Sequence, residues 1–370
     1  MRPNNEEQTE VSQKRRRVML SALGVMATTS IAGGLTLRGT SAAQSSPAYI
    51  GCARQSDGMF AVMAMNDSGE VCYTSPLPSR GHGLVVDPLT RLGFVFARRP
   101  GAFVQVLSIE TGQTISTYLS DTNRYFYGHG DVLGNTLFTT EGVKGTSEGI
   151  IGVYHIHPDG VLKKEREIAG FGIGPHEIKV VNETTLAVAV GGIRTDNRTA
   201  TNLDSMSPSL VLIDIPSGRI VEKHQLADHQ LSIRHLAVSP NQDVVIAQQY
   251  KGDPDHIAPL LAIRRNNGDF TALKAGTEHW TRFQQYIGSV ACTGSQVIAT
   301  SPRGNCFGIW DIETGELQAI SSLMDASGAS AQREGFAISA GTGRVVIQEP
   351  RKSITFQTSE VTWDNHWVML

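Results

Sequence analysis

Arg80-Gly81-His82-Gly83-Leu84-Val85-Val86-Asp87 places a histidine at the entry to a short apolar strand, and the chain writes this pattern repeatedly. Tyr127-Gly128-His129-Gly130, Gly174-Pro175-His176-Glu177 and Ile233-Arg234-His235-Leu236 follow at spacings of 47, 47 and 59 residues. The strand recurs without its histidine at Ile287-Gly288-Ser289-Val290 and Arg333-Glu334-Gly335-Phe336. The last residues restore it in Asn365-His366-Trp367-Val368-Met369. A period of about 40 to 50 residues, built from short strands and turns, predicts a β-propeller.

Each unit reads as four strands, A to D, from the axis outwards. In unit one these are Leu84–Val86, Gly93–Ala97, Phe103–Ser108 and Thr114–Leu119. Asp87-Pro88 and Glu110-Thr111-Gly112-Gln113 supply turns, because proline presets one turn dihedral and glycine supplies the positive φ of another. Units two to five repeat this order. Unit six reads as Phe336–Ser339, Arg344–Gln348 and Ser353–Gln357, with a poor fourth strand near Glu360–Thr362. At the other end, Ala48–Arg54, Met59–Met65 and Glu70–Ser75 lack an inner strand, whereas His366–Leu370 is an inner strand alone. Pairing the two completes a seventh blade and removes two free edges. The expectation is therefore an all-β, seven-bladed β-propeller over residues 44–370, its ring closed by the C-terminal strand on the N-terminal blade. Gly191–Ser207 and Tyr250–Pro259 interrupt units three and four between strands B and C. Those connections share the face on which the histidines open, so both insertions should overhang that mouth.

Residues 1–43 stand apart. Lys14-Arg15-Arg16-Arg17-Val18-Met19-Leu20 leads into a Gly/Ala/Thr-rich apolar segment, and Ser41-Ala42-Ala43 offers small residues for cleavage. This predicts a twin-arginine export signal and a periplasmic mature protein; the competing reading is an uncleaved membrane anchor, for which the apolar run is short and diluted by Gly and Thr. Without residues 1–43 the chain carries 26 Lys/Arg against 32 Asp/Glu, a net charge of −6. No nucleic-acid or membrane partner is expected of that balance, and the mature chain reads as a monomer. Cys52 and Cys72, like Cys292 and Cys306, fall two strands apart in one blade. That separation, roughly 10 Å, is too wide for a disulfide, so all four read as buried small hydrophobes.

On a ring, the start of each A strand is the part nearest the central channel. His82, His129, His176, His235 and His366 then converge on one axis. Neutral imidazole is the commonest protein ligand of transition metals, and three or four around one centre suit zinc, copper or iron. The competing reading is a wet channel lined by imidazoles bonded to water and carbonyls. Arg98, Arg99, Glu141, Arg194, Tyr250, Arg303 and Glu349 sit at strand-B ends or in loops, and Arg80, Arg124 and Arg234 just before histidine slots. Arginines around a channel mouth suit a carboxylate, a phosphate or an anionic metal chelate. Glu177 reads either as a base or ligand beside His176 or, more simply, as a surface acid at a strand edge. His155, His157, His224, His229, His256 and His279 are out of register and read as surface residues.

Several of these segments share one resemblance. Gly81-His82-Gly83, Phe96-Ala97-Arg98-Arg99-Pro100-Gly101, Phe126-Tyr127-Gly128-His129-Gly130, Gly172-Ile173-Gly174-Pro175-His176-Glu177, Asn202-Leu203-Asp204, Leu231-Ser232-Ile233-Arg234-His235-Leu236-Ala237-Val238, Ser301-Pro302-Arg303-Gly304 and Trp363-Asp364-Asn365-His366 resemble an exported bacterial propeller family catalogued as domain of unknown function 1513. The resemblance implies periplasmic iron or metal handling beside other iron-uptake proteins, and it brings no established activity or catalytic residue. Gly142 stands after Glu141 where the family leads one to expect asparagine. Three functions follow as expectations: a metal- or metal-chelate-binding propeller, a lactonase- or lyase-like enzyme acting on a carboxylate, and a protein-interaction platform using the Gly191–Ser207 loop.

Overall fold

A computed structural model of the chain describes residues 46–331, 335–349, 351–358 and 360–370. The export signal expected over residues 1–43 lies outside them. Among the described residues, seven four-stranded antiparallel sheets follow one another as blades of a propeller. In unit one the strands are Gly81–Asp87, Leu92–Ala97, Phe103–Ser108 and Thr114–Leu119. Strand B is buried on both faces because a blade is sandwiched between two neighbours. Val95 and Ala97 point into the core shared with the N-terminal blade, and Phe94 and Phe96 into the core shared with unit two. Strand D is largely exposed and polar. The same division repeats round the ring, so seven apolar clusters lie between neighbouring blades. Each buried Phe, Ile or Val stabilises its interface by about 1.5–3 kcal/mol.

Ring closure occurs as expected. Val361–Met369 is the inner strand of the N-terminal blade, pairing antiparallel with Tyr49–Gln55 through Tyr49↔Met369, Ile50↔Val368 and Gly51↔Trp367. Trp367 stacks on Tyr49 at 5.4 Å and meets Trp363 edge-on at 5.0 Å, which anchors the seam.

Unit six departs from the expectation. Its inner strand is Ala326–Ala331, followed by Phe336–Ala340, Arg344–Glu349 and Lys352–Gln357. Phe336 therefore opens strand B rather than strand A, and Val361 and Thr362 belong to the closing strand, with Glu360 in the turn before it. Ala326-Ser327-Gly328-Ala329-Ser330-Ala331 has no large apolar residue and no alternation, so it carries no strand signature. The small residues have a structural reason: a Cβ on Gly328 would stand 3.2 Å from the Trp367 backbone nitrogen. Arg333 and Glu334, read as part of that slot, lie outside the described residues.

The short helix Thr277–Arg282 between units four and five was not foreseen either. It places Trp280 on Trp310, with ring centroids 5.4 Å apart, in the core between those units. No disulfide joins the four cysteines, but only Cys52 and Cys306 are buried; Cys72 and Cys292 are partly exposed. No described helix is long and apolar enough to cross a membrane.

Candidate functional site

Every inner strand that carries a histidine breaks register beside it. The pairing shifts between Gly81 and Leu84, between Phe126 and Gly130, between Pro175 and Ile178, and between Ile233 and His235. In the closing strand the shift falls opposite Gly51 to Ala53, where Asp364, Asn365 and His366 are looped out of the ladder. A bulge adds a residue to one strand and re-aims its side chain, and here it turns the imidazole towards the axis. Of the two inner strands without a histidine, Ser289–Cys292 in unit five pairs without a bulge, whereas that of unit six shifts register between Ala326 and Ala329. Glycines make room for the crowding. Gly128 adopts φ +102°, where an L side chain is strained, and a Cβ on Gly83 would collide with the Gly128 carbonyl oxygen. Thr140 ties adjacent blades together, its hydroxyl donating to the carbonyls of His129 (3.2 Å) and His176 (2.9 Å).

The five imidazoles meet. Going round from His82 through His129, His176, His235 and His366 and back, successive ring centroids lie 4.8, 4.7, 4.8, 5.0 and 4.7 Å apart. His129 and His366 also approach to 4.6 Å, so the set is a tight cluster rather than an open ring. Two overlapping triads, His82–His129–His366 and His129–His176–His235, have ligand nitrogens all within 4.8 Å of one another.

Two carboxylates orient the cluster from behind. Asp364 Oδ1 lies 2.7 Å from His82 Nδ1, and its Oδ2 takes Arg80 at 2.6 Å. Glu177 Oε2 lies 3.2 Å from His235 Nδ1 and accepts the Leu236 backbone N–H at 3.1 Å, while Oε1 pairs with Lys179 at 3.2 Å. With Nδ1–H committed to a carboxylate, Nε2 of His82 and of His235 keeps its lone pair for the centre. Buried Nε2 of His129 and of His366 and Nδ1 of His176 have no hydrogen-bond partner in the protein. Burial pushes His129, His176 and His366 well below the ordinary histidine range, and neighbouring imidazoles add to it. Burial lowers His82 too, against the opposing pull of Asp364. Burial would raise the two carboxyls, but Lys179 and His235 hold Glu177 well below its usual value, and His82 and Arg80 do the same for Asp364. The arrangement thus combines imidazoles that burial keeps neutral, those of His82, His129, His176 and His366, with ionised carboxylates.

The cluster divides the channel. On the side of the B–C loops a cavity of about 350 Å³ is floored by His82, His176 and His235. Arg98, Arg99, Arg198, Arg234, Lys251 and Arg303 surround it, with Tyr127 and Tyr286. On the far side a cavity of about 340 Å³ meets His129, His366, Asp131, Glu177 and Lys179.

Among the residues expected at the mouth, Arg98, Arg99, Arg234 and Arg303 are there. Arg80 is spent on Asp364, and Arg124 pairs with Glu167 on the outer part of its blade at 3.0 Å. Glu141 is buried within its own blade, accepting from Tyr154 (2.6 Å), Thr139 (2.9 Å) and Lys164 (3.0 Å). The Tyr250 hydroxyl donates to Gln230, while Arg194 and Glu349 are exposed away from the cavity. Glu177 is no surface acid; it is buried inside the channel. The Gly191–Ser207 insertion does overhang the mouth, contributing Ile193, Thr195 and Arg198. The Tyr250–Pro259 insertion lends only Lys251. Asp364, Lys179, Lys251 and Arg198 escaped the sequence reading. Asp364 had a signal, two residues before a slot histidine, and Arg198 and Lys251 lay within the two insertions expected over the mouth.

Comparisons agree with this architecture. Hydrazine synthase of Kuenenia stuttgartiensis superposes with a TM-score of 0.60 at 15% identity, covering 88% of this chain and 99% of that one. A candidate 6-phosphogluconolactonase from Bacteroides fragilis superposes with a TM-score of 0.62 at 12% identity, covering 89% and 99%. At such identities the likeness is one of fold. No curated protein matches the chain. The model of the family described as protein of unknown function, DUF1513, matches residues 75–370, a span that takes in all five channel histidines and both carboxylates, and the chain belongs to that family.

Proposed function

We propose that this propeller binds a transition metal ion, alone or as an anionic complex, through its channel histidines. The carrying observation is the convergence of five imidazoles, two of them backed at Nδ1 by buried carboxylates. His129 belongs to both triads, so a single ion held by either would use it. Nitrogens about 2.0–2.1 Å from a tetrahedral ion stand roughly 3.3 Å apart, so binding would draw the rings inward. Buried imidazoles that stay neutral need give up no proton to bind a metal. With the export signal expected in residues 1–43, the role would be periplasmic metal handling, iron included.

The test is elemental analysis of exported protein, before and after reconstitution with iron, copper or zinc. Wild type should hold about one equivalent, and His129→Ala should lose at least about tenfold in affinity. His155→Ala, on an outer strand, should bind as wild type. Less than about a tenth of an equivalent of every metal after reconstitution would sink the proposal.

An enzyme of lactonase or lyase type has less support. Its general base would be Glu177 or a channel histidine; Glu177 is already engaged by His235, Lys179 and a backbone N–H, and it faces the cavity opposite the arginines.

A further inference from the structure

The mouth above the histidines has its own electrostatic problem. Five arginines and Lys251 line one cavity, and no Asp or Glu lines it among the described residues. Four arginines outside the mouth do have carboxylate partners: Arg80 with Asp364, Arg124 with Glu167, Arg264 with Glu222 and Arg265 with Asp243. Arg234 is only 6% exposed, and its Nε has no acceptor in the protein. A buried guanidinium with an unanswered N–H, among like charges, destabilises the fold unless an anion joins it.

The groups are also held in place. Arg303 lies over the Tyr286 ring at 4.4 Å and Arg99 over Tyr127 at 5.8 Å. These contacts fix the guanidinium planes without neutralising them. Arg198 reaches the cavity from the Gly191–Ser207 insertion, which Ser147 secures by accepting the Thr195 N–H at 3.0 Å.

From this geometry we infer that the mouth is a binding site for a small, multiply charged oxyanion: a tricarboxylate or a diphosphate. Guanidinium forks match the paired oxygens of both, and the cavity admits a small molecule rather than a polymer. A singly charged anion would leave most of the cationic charge unanswered. The inference does not depend on metal binding. Where both hold, the oxyanion's oxygens rest against His82, His176 and His235, and a metal chelate satisfies both sites together.

The test is calorimetric titration of chelator-treated protein with citrate in one arm and pyrophosphate in another, with acetate as the monovalent control. At least one polyanion should bind saturably, at least about tenfold tighter than acetate. Arg234→Gln should weaken it at least about tenfold. Because Arg234 is buried, the double variant Arg198→Gln/Arg303→Gln, with both side chains exposed, serves as the second test and should also weaken binding. The preferred arm identifies the carboxylate or phosphate source. No saturable binding of either polyanion, or undiminished binding in the double variant, overturns the inference. Zinc titration of the same variants separates the two proposals, because retained zinc uptake with lost anion binding marks the sites as distinct.

Discussion

Asp364 ties the centre to the strand before it, holding His82 with one oxygen and Arg80 with the other. Asp364→Asn keeps an acceptor for His82 but removes the charge. Metal affinity should fall roughly 10–100-fold, the usual cost of losing a carboxylate behind a ligating histidine, as read by competition with a chromogenic chelator. The folded-state carboxyl is held far below its unfolded value of about 3.8. Its stabilisation is therefore fully present above about pH 4 and disappears only as pH falls through the lower folded value. The variant should melt lower than wild type at pH 7, and the gap should close only in strong acid. Lys251 runs the other way. Burial, with Arg234, Arg303 and Arg99 nearby, brings it down to about 7 from the ordinary 10.5. Between pH 10.5 and about 7 the unfolded chain takes up this proton while the folded chain does not, so stability declines across that window as pH falls and levels off below it. Lys251→Met should raise the melting temperature at pH 7. In wild type, polyanion binding should tighten from pH 8 to pH 6 as Lys251 charges, a trend that calorimetry would find missing in the variant.

Among the strands, the closing one has two roles that can be separated. Deleting residues 361–370 removes the inner strand of the N-terminal blade together with buried Trp363 and Trp367. A single buried Trp→Ala change costs about 3–5 kcal/mol, so the deletion should lower stability by more than that. His366→Ala in metal-free protein should change stability by no more than about 1 kcal/mol, since its Nε2 has no protein partner to lose. Thermal melts compare the two, and equal melting temperatures for the deleted and full-length forms would remove the closing strand from the fold. This strand was legible because Trp367, Val368 and Met369 continue the slot pattern. The inner strand of unit six was not, because it is built from Ala, Ser and Gly alone, with Gly328 close against Ser339 and the Trp367 backbone. The histidine slots were legible by repetition. The bulges that aim them were not, because a register shift leaves no mark in one strand's own sequence. Glu141 looked like a mouth residue from its place at the end of a B strand. The Tyr154 and Lys164 that claim it come from later strands of its own blade.

Across the whole molecule, charge is distributed against the average. The chain has a formal net charge of −3, yet six cationic side chains ring one end of the channel and the far cavity carries Asp131 and Glu177 beside Lys179. An anion is thus drawn towards one opening only, and the concave wall focuses that attraction. The histidine cluster lies between the two cavities, and His82, His129, His176 and His366, kept neutral by burial, add little to the field on either side. The two proposed sites should therefore respond differently to salt. The Debye length shrinks from about 30 Å at 0.01 M to about 8 Å at 0.15 M. Citrate association should slow at least severalfold over that range if the mouth steers it. Zinc uptake by the imidazoles is governed by short coordinate bonds and desolvation, so its affinity should change much less. Stopped-flow citrate binding and zinc competition, each at both salt concentrations, measure the two responses. Equal salt sensitivity of both ligands would mean that one field governs both sites, and the division of the channel into an electrostatic mouth and a coordinating centre would fail.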